Sequence, residues 1–110
     1  MDAKKRKRLE AAGWRLGDAS DFLGLSTEEV EFIELKLALA VGLKEERAAL
    51  GLTQAELARR VGSSQSRVAK MEAGDPSVSV DLMVRSLFKL GARRRDVAKL
   101  VERRRKRSTA

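Results

Sequence analysis

The chain of 110 residues has no cysteine, no histidine and no tyrosine. Without the first two there is no disulfide, no thiolate or imidazole zinc site, and no cysteine–histidine or serine–histidine catalytic pair. Lack of cysteine also fits a reducing, cytoplasmic home. Proline occurs once, at Pro76, and the aromatics are one tryptophan and three phenylalanines. No stretch alternates apolar and polar residues as a half-buried strand does, and no internal repeat is visible. Ala, Leu, Glu, Lys and Arg dominate between short glycine punctuations, which predicts an all-α protein. No apolar run is long enough to span a membrane. The segment "LEAAGWRLGDAS" after the basic start also lacks the apolar run of a signal peptide.

Charge, by contrast, is abundant, at a net +8. The runs "KKRKR" at residues 4–8 and "RRRKR" at 103–107 hold ten of the 24 basic residues. Residues 9–102 then carry 14 basic and 15 acidic side chains, close to neutrality. Terminal runs of like charge tend to stay disordered and to bind polyanions, so nucleic acid is the first partner to consider. A solubilising tail is the plainer reading, and in a eukaryote "KKRKR" also reads as a nuclear signal.

Five main helices are expected. A short turn in "DASDFLGL", capped by Asp18 and stopped by Gly24, precedes them. The first covers residues 27–50, with Ser26 and Glu29 at capping-box spacing and Gly51 as its stop. Its interior Gly42 costs about 1 kcal/mol relative to Ala, which suggests a kink or a close helix crossing. Thr53 and Glu56 begin the second helix with another capping box, and Gly62 supplies a turn. Ser64 then caps a third helix from Gln65 to Glu72 or Ala73. Ser79 caps "VDLMVRSLFKL", and "RRRDVAKLVE" makes the last, with Val97, Leu100 and Val101 facing inward.

Two short capped helices joined by a glycine turn form the pattern of a helix-turn-helix. On the third helix Val68 and Met71 define the buried side. That leaves Ser66, Ala69 and Lys70 outward and Gln65 at the exposed leading end. A glutamine there can present its amide to adenine in a major groove. Ser64 and Ser66 can donate to phosphate or to a base edge, and Arg67 and Lys70 add positive charge.

The segment "LKEERAALGLTQAELARRVGSSQSRVAKMEAG" resembles the helix-turn-helix of XRE regulators of the Cro/cI type. The likeness runs on to about Gly91. It implies a five-helix lambda-repressor-like domain that binds operator DNA as a dimer, with Gln54, Ser64, Gln65, Ser66, Arg67 and Lys70 at the DNA and no cofactor. By the same resemblance Gln54 touches a phosphate and braces Gln65, while Arg47 and Glu72 form a structural ion pair. One departure is "DPSVS" after the third helix, where relatives often place a lysine or arginine. The basic tails are therefore expected to supply part of the grip on the DNA backbone.

The resulting organisation is a basic disordered tail (1–8), a helical extension (9–38), the helix-turn-helix domain (39–102) and a second basic disordered tail (103–110). Residues 18–35 contain six acids and no basic residue. Phe32, Ile33, Leu35 and Leu37 on this extension suit a dimer interface, or a folded-back cap with Trp14 and Phe22. The pattern "SRVAKMEAGDPSVSVDLMVRSLFKLGA" is also similar to bacterial HigA-type antitoxins, which bind their own promoter and neutralise a basic RelE/HigB-type ribonuclease. An acidic front segment would suit such a partner, and a free-standing repressor is the competing reading. A sequence-independent nucleic-acid binder acting through the tails is the alternative from another class. Ser86 and Lys89 have the S-x-x-K spacing of some acyl enzymes, but the accompanying motifs are missing and their helix is committed to packing.

Overall fold

The structure is a computed structural model in which residues 24–108 are described, with side chains to residue 102. The basic run at 4–8, Trp14, Phe22 and the cap at Asp18 lie outside these residues. Five helices follow one another: α1 (Thr27–Ala49), α2 (Gln54–Val61), α3 (Gln65–Glu72), α4 (Val80–Lys89) and α5 (Arg94–Ser108). Among the described residues there is no strand. The chain divides into two compact units, Met1–Leu35 and Lys36–Ala110.

The first four helices begin where their sequence offers a hydrogen-bond acceptor to the free N–H groups of a first turn. At α1, Glu29 N–H donates to Ser26 Oγ at 3.2 Å and Ser26 N–H to Glu29 Oε1 at 2.7 Å. At α2, Thr53 and Glu56 exchange the same two bonds at 3.1 and 2.8 Å. Ser64 Oγ accepts from Arg67 N–H, and Ser79 Oγ from Leu82 N–H. Such caps stabilise a helix by about 1 kcal/mol each. Gly62, in left-handed geometry at φ 72°, reverses the chain between α2 and α3. A side chain with a Cβ is strained in that conformation.

Within the unit Lys36–Ala110, Leu39, Leu43, Leu57, Val68, Met71, Met83 and Leu87 are fully buried. Burying each such side chain contributes roughly 1.5–3 kcal/mol. Spacing explains the choice: Leu39 and Leu43, Val68 and Met71, and Met83 and Leu87 stand three or four apart, so each pair lies on one helix face. α2 packs against both α3 and α4. Lys89 of α4 tightens that seam, its Nζ donating to the carbonyl of Val61 at 3.1 Å. Ser86 is buried and donates to the Leu82 carbonyl at 2.8 Å, so both members of the S-x-x-K pair have packing roles.

Gly42 lies at a close helix crossing. A Cβ placed there would run into the side chain of Leu100, so the bare backbone of α1 gives α5 its seat. Four boundaries differ from expectation. α4 ends at Lys89 rather than Leu90, and α5 starts at Arg94 rather than Arg93. α1 ends at Ala49 rather than Leu50, because Leu50 already belongs to the turn at Gly51. More consequentially, α5 continues to Ser108, so residues 103–108 are helical rather than a disordered tail. Arginine and lysine are good helix formers, and cations in a last turn complement the helix dipole.

Candidate nucleic-acid interface

The helix pair α2–α3 presents one polar face on an apolar base. Val68 and Met71 have no exposure, whereas Ser64, Gln65, Ser66, Arg67 and Lys70 are exposed. Ala69, expected outward, is half-buried, because it flanks Val68 and lies beside the inward stripe. The exposed side chains are therefore small hydroxyls, one amide and two cations. Ser64 Oγ accepts the cap bond from Arg67 N–H at 3.1 Å, which leaves its O–H as a donor.

Behind this face runs a continuous chain of hydrogen bonds. Gln65 Nε2 donates to Gln54 Oε1 at 2.9 Å, and Gln54 Nε2 donates to Glu72 Oε1 at 3.1 Å. Arg47 closes it, with Nε to Glu72 Oε2 at 2.6 Å and Nη2 to Glu72 Oε1 at 3.1 Å. Its third donor, Nη1, binds the Leu52 carbonyl at 2.9 Å. The Glu72 side chain is only 4% exposed, so removing Arg47 would strand a charge out of water. Hydrogen bonding to Glu72 raises the Arg47 guanidinium above its ordinary pKa, although partial desolvation opposes this. These residues join α1, α2 and α3 by side chains far apart in sequence.

Spacing did not show Ser77 as a neighbour of this face. A hollow of about 220 Å³ is lined by Ser64, Ser66, Arg67, Lys70, Ser77 and Val78. Asp75 Oδ1 accepts from Ser77 N–H at 2.8 Å, shaping the turn that brings Ser77 there. The signal lay in "DPS", since an aspartate two residues before an N–H favours such a turn. The hollow places two cations and three hydroxyls around a space suited to an anionic oxygen.

Elsewhere the candidate residues are scattered. Phe32 is 54% exposed, whereas Ile33, Leu35 and Leu37 are half-buried. Among the described residues no cluster of carboxylates could hold a metal ion, and no helix is long and apolar enough to cross a membrane.

Capped α2, a left-handed glycine and capped α3 with an exposed polar face define a helix-turn-helix. Residues 43–85 match the helix-turn-helix family model, and this segment is a helix-turn-helix of the XRE type. That is the fold of DNA-binding transcription regulators. No curated protein and no solved structure matches the chain.

Proposed function

We propose that the protein is a sequence-specific regulator that represses transcription by laying α3 in the major groove of operator DNA. The observation that carries this reading is the exposed face of Gln65, Ser66, Arg67 and Lys70 on a helix whose other side is fully buried. Gln65 would read a base edge, while Ser64, Arg67 and Lys70 would hold phosphates, with Gln54 at a phosphate beside them. Two copies would bind together through Phe32, Ile33, Leu35 and Leu37. An antitoxin role has one supporting observation of its own: Glu28, Glu29 and Glu31 are exposed on the first turns of α1, where a basic toxin could dock.

The test is binding to DNA upstream of its own gene against a scrambled duplex, at about 0.15 M salt, for wild type and Gln65→Ala. A strong preference that collapses in the variant supports base reading through α3. Equal binding to both duplexes, unchanged by the substitution, would instead leave a sequence-independent binder acting through its basic runs. Co-purification with the product of a neighbouring small basic gene separates antitoxin from free-standing repressor.

A further inference from the structure

We infer that Lys89 is a positioning residue for the proposed reading of DNA: from α4 it fixes the joint between α2 and α3, and thereby the angle at which α3 meets the groove. This rests on the reading of α3 as a major-groove helix. Lys89 lies on neither helix of the motif.

The joint is short, Gly62 and Ser63 between the last residue of α2 and the cap of α3. Gly62 N–H and Ser63 N–H both donate back to the Ala58 carbonyl, and Ser64 Oγ accepts from Arg67 N–H. The first two bonds close α2 and the third opens α3. The carbonyl of Val61 is left over, because among the described residues no backbone N–H of the turn or of α3 donates to it. Lys89 Nζ does so at 3.1 Å, from 28 residues away in the chain.

This bond acts as a strut. Its foot is firm, because Leu87 and Leu90, which flank Lys89, are buried. Its head meets the end of α2 where the helix dipole places partial negative charge, which favours a cation. Val61 is almost fully buried, so without the ammonium its carbonyl has little water to turn to. The joint would relax by rotating the peptide between Val61 and Gly62, and Gly62, lacking a Cβ, resists such rotation least. Eight residues make a rod of about 12 Å, so a tilt of about 10° shifts one end of α3 by about 2 Å against the other. That is several times the spread of distances over which a hydrogen bond to a base edge is sound.

The experiment uses full-length wild type, Lys89→Met, Lys89→Arg and Lys99→Met, at a temperature where circular dichroism shows each almost wholly folded. A residue that only stabilises the fold then leaves the apparent Kd nearly unchanged, because Kd rises as the inverse of the competent fraction. A duplex selected by wild type from a randomised library and a scrambled duplex are titrated, and amide exchange is followed at Gly62 and Ser63. Lys89→Met should lower the ratio of selected to scrambled affinity by about three- to tenfold, the scale of one lost hydrogen bond. It should also speed exchange at Gly62 and Ser63 but not at Leu57 or Met83. Lys89→Arg keeps a cation and its donors on a long stem and should retain both properties. Lys99→Met removes one exposed charge from α5 and should leave the ratio unchanged. If Lys89→Met fails to fold, Lys89→Gln, whose amide is too short to span the gap, takes its place. An unchanged ratio in Lys89→Met, including equal weakening on both duplexes as from a lost phosphate contact, overturns the inference while base reading stands. So does a ratio that falls with no faster exchange at the joint, since Lys89 would then act at the DNA directly. A wild type that selects no sequence overturns the reading of α3 itself and this inference with it.

Discussion

The eight residues of α3 and the fifteen of α5 both carry cations, but the fold holds them differently. α3 is capped by Ser64, pinned through Glu72 to Arg47, and buries Val68 and Met71 completely. α5 begins with Arg94 and Arg95 at the positive end of its dipole, and no serine or threonine caps it; Arg93 N–H donates to Asp96 Oδ2. Its apolar residues Val97, Leu100 and Val101 are each only half-buried. Positive charge fixed to a rigid apolar base can serve position-dependent contacts, whereas charge on a loosely seated helix serves general attraction.

Core truncations should separate the two helices most. Met71→Ala is expected to cost about 2–5 kcal/mol, against roughly 1 kcal/mol for Val97→Ala at its half-exposed site. Urea denaturation followed by circular dichroism measures both, and equal costs would erase the distinction. Next comes Arg47→Met, which leaves Glu72 buried without its cation and should cost about 3 kcal/mol. Its effect should be visible in the same denaturation curves.

The seat of α5 can be probed from the other side of the crossing. Gly42→Val would force the Leu100 side chain out of place, with an expected loss of about 1–3 kcal/mol. Adding Leu100→Ala should recover part of it, and amide exchange within α5 reports whether that helix was the part released. No recovery would mean that the strain falls inside α1.

The smallest effect concerns acid. The backbone N–H of Thr53 and the Thr53 hydroxyl hold the Glu56 carboxyl below its ordinary value of 4.5. A depressed folded-state pKa contributes stability that is fully present above the unfolded value and fades as pH falls through the folded one. Wild type should therefore lose a small increment of stability from about pH 4.5 downward, and Glu56→Gln should lose less over that window. Melting temperatures across a pH series check this, and identical slopes for the two proteins would remove the contribution.

Much of this architecture was legible in the residues themselves. Ser26, Thr53, Ser64 and Ser79 announce helix starts because a hydroxyl at those positions meets free N–H groups locally, and Gly62 announces the turn. The end of α5 was not legible, because a run of cations obeys two opposing tendencies. Mutual repulsion favours disorder, whereas helix propensity and the dipole favour continuation, and composition alone does not weigh them. The contact of Gly42 with Leu100 was also hidden, since spacing assigns a face but not the residue that meets it. On the candidate interface, the exposure of Gln65, Ser66, Arg67 and Lys70 follows from the positions of Val68 and Met71. The bond from Gln54 to Glu72 does not, because it depends on how α2 lies across the end of α3.

If α3 lies in a major groove as proposed, its shortness limits how much information it can extract from DNA. Eight residues make a rod of about 12 Å, which spans three to four base-pair steps at about 3.4 Å each. A four-letter word recurs by chance about once in every 256 positions, far too often to mark one site among roughly a million or more competitors. Two copies bound side by side, as proposed, would square that rarity to about one in 65,000. On that proposal, pairing would be a requirement of counting as much as of affinity, because the word would be set by two turns of helix.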